Sequence, residues 1–202
     1  MTDRHADATE PAFSICVYCG SRPGIDAAQA DVARSIGSWI GQHGGQLVYG
    51  GGRAGLMGIV ADAALAAGAR VVGVIPKALV DREHAHQGCT ELIVVDTMHE
   101  RKRIMAERST AFIALPGGIG TFEEFFETWT WRQLGYHDKP LGLLNTADYY
   151  TPMLRFLEHS VQQGYMGEAQ MSLIDVDTTW QPLMRRLATM GGFRPSDQYD
   201  EI

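Results

Sequence analysis

Two stretches of this chain combine backbone freedom with charge in a way that suits ligand chemistry. In "ALPGGIGTFEEFFETWTW", from Ala114 to Trp131, Gly117, Gly118 and Gly120 fall just before the adjacent carboxylates Glu123 and Glu124. In "YGGGRAGLMG", Gly50, Gly51 and Gly52 precede a segment of small residues. Glycine permits positive φ and close backbone approach, and a helix N-terminus offers unpaired N–H groups with partial positive charge. Each loop therefore suits an anion, most naturally a phosphate. A carboxylate one turn into such a helix would lie further along the ligand, where a sugar ring could sit. The competing reading is structural: Thr121 and Glu124 spell T-x-x-E, a capping box in which Glu124 needs no ligand. Glu123, on the neighbouring face, reads as solvated.

A third stretch, "MHERKR", follows the apolar run "ELIVVD" and carries Arg101 and Lys102. A charged run at a helix start is ordinarily a solvated face, but at the ligand end of a sheet a cation there can neutralise a phosphate or fix a carboxylate. Other motifs carry less. Gly50, Gly52 and Gly55 satisfy G-x-G-x-x-G, yet the next strand ends "GVIPKALV" without the acid that would hold a ribose, which disfavours a nicotinamide cofactor. No G-K-[ST] follows either glycine run. Cys16 and Cys19 form C-x-x-C at the end of an apolar run, where alternation sends them to opposite faces, so they read as buried strand cysteines rather than a redox or metal pair. His84, His86 and His99 lack a zinc-like ligand set and read as surface or loop residues, and no metal is expected.

The elements that must position these residues are legible as alternation. Short β-branched runs, "FSICVYC", "QLVY", "ARVVGVI", "ELIVVD", "AFIAL", "PLGLL" and "SLIDVD", are separated by segments of helical period at 26–43, 54–67, 98–108, 121–134, 147–163 and 178–190. This predicts an α/β fold, a three-layer sandwich with a mainly parallel sheet of about seven strands. Ligands of such sheets bind outside the carboxyl ends of the strands, which is where "CGSRPG", the two glycine runs and "MHERKR" fall. Phe122, Phe125, Phe126 and Trp129 recur with helical spacing and read as core or subunit interface. The 202 residues suit one domain, 1–202, with loose tails at about 1–11 and 191–202. Apolar residues at 45% and charged residues at 20% fit a globular protein, while a net charge of -7 argues against a nucleic-acid binder. No apolar segment is long enough for a membrane span or signal peptide, and the expected location is cytoplasmic.

Six blocks in order, "CGSRPG", "YGGGRAGLMG", "VIPKALVDRE", "MHERK", "PGGIGTFEE" and "TWRQLGYHDKPLGLLN", make the chain similar to the LOG family of cytokinin riboside 5'-monophosphate phosphoribohydrolases, once labelled lysine decarboxylases. The resemblance implies a Rossmann-like homodimer, without cofactor or metal. It implies hydrolysis of the N-glycosidic bond of an N6-modified adenosine monophosphate, or of AMP, to free base and ribose 5-phosphate. By position, Arg101 and Glu124 match the family's catalytic pair, and Gly117, Gly118, Gly120 and Thr121 match its phosphate-binding turn, with Ile119 inside it carried as a substrate-binding position. Glu83, Lys102 and Thr130 match further substrate contacts, and Ser21, Gly51, Gly52, Met98 and Glu123 fall within the same blocks and are carried as substrate-binding positions. Two other readings stay open: a pyridoxal phosphate enzyme, which needs Lys77, Lys102 or Lys139, and a nucleotide carrier without catalysis.

Overall fold

The computed structural model describes residues 10–194. Seven strands, β1 (Ser14–Tyr18), β2 (Gln46–Tyr49), β3 (Arg70–Pro76), β4 (Glu91–Val95), β5 (Ala111–Ala114), β6 (Leu141–Leu144) and β7 (Ile174–Asp177), form a single sheet. Its order is β4-β3-β2-β1-β5-β6-β7, and every neighbouring pair is parallel. Helices α1 (Ala28–Gln42), α2 (Gly55–Ala66), α3 (Met98–Glu107), α4 (Ile119–Gln133), α5 (Thr151–Gln162), α6 (Glu168–Met171) and α7 (Trp180–Met190) cover both faces.

The central strands are continuously apolar because each serves two cores. Ile15, Val17, Leu47, Tyr49, Ala111 and Ile113 pack with α1, α2 and α7 on one face. Their neighbours Cys16, Tyr18, Val48, Phe112 and Ala114 pack with α3, α4 and α5 on the other. Period-2 alternation thus splits the C-x-x-C pair: Cys16 faces one core and Cys19 the other, both buried and free.

The strand order fixes where a ligand can enter. From β1 the chain steps outward through β2 and β3 to β4, then returns to the other side of β1 as β5. The connections leaving β1 and β5 therefore diverge, opening a crevice between them at their carboxyl ends. Helix α4 is held beneath that crevice by Phe125 and Trp129, both buried, with Phe122 and Phe126 half-buried beside them. The Trp129 indole N–H donates to the Gln170 carbonyl at 3.0 Å.

Three expectations need correction. The helical pattern at 147–163 is broken: Ala147 and Asp148 adopt φ of 50° and 55°, and α5 starts only at Thr151. Asn145 stabilises the break, its side-chain oxygen accepting from the Tyr150 N–H at 2.7 Å and its amide donating to Thr151 Oγ1 at 3.0 Å. His86 lies in a loop, one of the two places expected for it, but is buried rather than superficial, and its Nε2 lies 2.8 Å from Asp62 Oδ1. Beyond Gly191, Phe193 packs edge-on against Phe13 at 4.8 Å between ring centroids, so the chain is docked further than expected. The rest of the tails, 1–9 and 195–202, lies outside the described residues.

Because Phe125 ties α4 to the sheet from a fully packed position, Phe125→Ala is expected to cost about 3–5 kcal/mol, read as a fall in the urea midpoint.

Candidate active site

A cavity of about 800 Å³ opens at the carboxyl ends of β1 and β5. Its walls are the β1 exit from Cys19 to Asp26, the turn from Pro116 to Thr121, the start of α2 at Leu56 and Met57, and the side chains of Gln29, Glu83, Arg101, Glu124 and Tyr149. The two exits are stitched together: the Gly20 N–H donates to the Pro116 carbonyl at 3.1 Å, and the Leu56 N–H donates to the Gly20 carbonyl at 3.0 Å. At Gly117 a Cβ would fall 2.1 Å from Thr121 Oγ1, so only glycine lets this turn fold back onto the first turn of α4.

The capping box does not form. Gly118, in extended conformation, occupies the N-cap of α4, no side chain caps the helix, and the helix starts at Ile119. Thr121 sits inside the first turn, buried, and Glu124 one turn further, with its carboxylate free for other work. The residues of the uncapped α4 start, Gly118 to Thr121, line the cavity and bring to it the partial positive charge of the helix end.

Glu124 is 9% exposed, and burial raises its pKa from the ordinary carboxylate range to about 7. Arg101 opposes this, and the carboxylates of Glu123 and Glu83 add to it. Arg101 is itself buried and reaches from α3 past β3 to the end of β2, donating through Nε to the Val74 carbonyl at 3.1 Å and through Nη2 to the Gly50 carbonyl at 3.2 Å. Its Nη2 stands 3.7 Å from Glu124 Oε1, an ion pair without a hydrogen bond. The guanidinium is thus anchored on main-chain oxygens and compensates the carboxylate only in part. Gly50 makes this possible, since a Cβ there would lie 2.1 Å from Arg101 Nη2.

Of the residues carried from the sequence, Ser21, Glu83, Arg101, Gly117, Gly118, Ile119, Gly120, Thr121 and Glu124 line the cavity. The others stand behind or beside it. The Gly51 carbonyl accepts from the His86 N–H at 2.8 Å, and Gly52 bridges to Ala85, so both hold the segment that carries Glu83. Met98 lies against Arg101, with Sδ 3.9 Å from Nη1. Lys102 is buried between Glu123 and Glu127, with Nζ 2.8 Å from Glu127 Oε2. Thr130 is exposed on α4 and donates to the Phe126 carbonyl at 2.7 Å. Sequence reasoning missed Gln29 and Tyr149, whose hydroxyl donates to the Gly117 carbonyl at 2.5 Å. It also missed the clamp on Arg101 at Gly50, whose one signal was its place in a glycine run.

A family model described as "Possible lysine decarboxylase" matches residues 57–187. A cytokinin riboside 5'-monophosphate phosphoribohydrolase of Rhodococcoides fascians is 48% identical over 172 residues, covering 85% of this chain and 87% of that protein. The chain belongs to the LOG family. A rice LOG phosphoribohydrolase, from Oryza sativa subsp. japonica, is 46% identical over 86% of this chain and 72% of its own length. A solved structure of a Moco carrier protein from Chlamydomonas reinhardtii shares the fold, with a TM-score of 0.65 at 22% identity over 88% of this chain and 96% of that one. The decarboxylase label of the family model does not fit the cavity of this LOG protein. Pyridoxal phosphate needs a lysine there, whereas Lys77 pairs with Asp96 at 2.6 Å, Lys102 with the two glutamates, and Lys139 donates to the Ala106 carbonyl at 2.6 Å.

Glu124 also links pH to stability. A carboxyl held near 7 when folded and near 4.5 when unfolded stabilises the fold fully below pH 4.5, and that contribution is lost as pH rises through 7. Glu124→Gln is therefore expected to stabilise the LOG protein at pH 8, by on the order of 2–3 kcal/mol, with the advantage shrinking towards pH 4.5 when melting curves are compared.

Proposed function

We propose that this chain hydrolyses the N-glycosidic bond of adenosine 5'-monophosphates, with or without an N6 substituent, releasing the free base and ribose 5-phosphate. The observation that carries the reading is the placement of Glu124, buried in the cavity one helical turn beyond an uncapped glycine-rich N-terminus, where burial pushes its pKa up to about 7. The names of the relatives support the substrate class.

In this reading the 5'-phosphate rests on the N–H groups of the turn from Gly117 to Thr121, where helix charge and glycine backbone favour an anion. That places the ribose at Glu124. As the bond from the base to the anomeric carbon weakens, positive charge grows on the sugar, and an adjacent carboxylate in a water-poor site stabilises it. A water oxygen then bonds to the anomeric carbon while its proton passes to Glu124. The bond's electron pair leaves with the base, which takes up a proton on its ring nitrogen. A carboxylate with a pKa of about 7 is a far better proton acceptor than one at 4.5 and is still half ionised at neutral pH. Arg101 keeps the Glu124 charge affordable without quenching it, because 3.7 Å is too long for a hydrogen bond. Lys102, held by Glu123 and Glu127, adds a second positive charge behind the pair.

The chain acts as a homodimer in this reading, supported by the exposed apolar side chains Leu134 and Tyr136 just past α4 and Phe156 on α5. A cytoplasmic location is supported by its three unpaired cysteines.

The test is product analysis by chromatography and mass spectrometry after incubation with AMP and with N6-isopentenyl-AMP. Free base and ribose 5-phosphate are expected in equal amounts, with kcat/KM rising with pH about a midpoint near 7 and Glu124→Gln slower by about 100- to 10,000-fold. Nucleotide that is bound but never cleaved would instead favour a carrier.

A further inference from the structure

Among the described residues, only two buried side-chain polar atoms lack a hydrogen-bond partner, Gln29 Oε1 and Glu83 Oε2. Both residues line the same cavity, although they come from distant parts of the chain. Buried acceptors are almost always satisfied, and an orphan forfeits its hydration for nothing in return. Two orphaned acceptors on side chains that line one cavity therefore suit a ligand that brings hydrogen-bond donors.

Glu83 falls within a sequence block already tied to substrate, but Gln29 does not. Gln29 lies in the first turn of α1, directly after the β1 exit that walls the cavity, and is 8% exposed. Its backbone N–H is already occupied by the Asp26 carbonyl at 3.2 Å, so the side chain is not needed to cap the helix. An apolar residue would serve packing there at least as well. A buried amide with an unused acceptor is unfavourable in the empty protein and rewarded only when a donor arrives.

We infer that Gln29 is a specificity-determining residue, whose side-chain oxygen accepts a hydrogen bond from an O–H or N–H group of the nucleotide. This rests on the nucleotide-hydrolase reading above and deepens it: the site rejects nucleotides that lack the donor, because they leave Gln29 unpaired. The donor is either a ribose hydroxyl or the exocyclic amine of the base, and the experiment separates them.

The wild type and Gln29→Met are compared on AMP, 2'-deoxy-AMP, 3'-deoxy-AMP and purine riboside 5'-monophosphate, with Gln29→Leu as a second variant should the first fold poorly. Ligand-free melting of the variant is expected to be unchanged or higher, because an unpaired acceptor has been removed. KM for AMP is expected to rise about tenfold, with a smaller effect on kcat. The wild type is expected to penalise one of the three analogues, and the variant to lose that penalty, which identifies the donor. A variant with unchanged KM, or one that weakens all four nucleotides equally, would overturn the inference. Failure of the wild type to cleave any of them would instead remove the hydrolase reading on which it rests.

Discussion

A carboxylate withdrawn from water and only partly compensated is the constraint on which the rest of this structure turns. Glu124 is buried at the floor of the cavity, and the nearest cation, Arg101, is spent on the Val74 and Gly50 carbonyls and stops 3.7 Å short. A close bidentate pair would hold the carboxyl well below its ordinary range and make it a poor proton acceptor. Burial alone, without the guanidinium, would push it higher still and leave it protonated at neutral pH. With burial and the guanidinium opposed, the carboxyl is pushed up to about 7, where both forms are populated.

The fold supplies that compromise by geometry. Arg101 can reach from α3 past β3 to the end of β2 only because Gly50 carries no side chain where the guanidinium lies. Glu124 is kept from solvent because Phe125 and Trp129 press α4 against β1 and β5. The reversal of strand order between those strands leaves the crevice in which a ligand meets the start of α4. The same helix thus offers its N-terminal charge to an anion and its second turn to the sugar attached to it.

Much of this was legible in the sequence. Parallel strands covered on both faces appear as uninterrupted apolar runs, so all seven were visible, and Arg101, Glu124 and the glycine turn lie in compact local motifs. The losses have physical reasons. Thr121 and Glu124 carry the signature of a capping box, but Gly118 takes the N-cap and starts α4 earlier, which sequence spacing does not reveal. Ala147 and Asp148 adopt left-handed conformations without a glycine to announce them, so the pattern at 147–163 reads as unbroken helix. Gln29 sits among small and polar residues at the start of a segment that reads only as helix, and its place at the cavity emerges only when α1 is docked beside the turn from β5.

The pKa of Glu124 is the quantity that tests this account most directly. Carbon-13 labelling of glutamate side chains, with Glu124→Gln to assign the signal, allows its carboxyl to be titrated by NMR in the ligand-free protein. The account predicts a midpoint of about 7. A midpoint near 4.5, the ordinary value, would show that Arg101 fully compensates burial and would contradict the proton-acceptor role of Glu124.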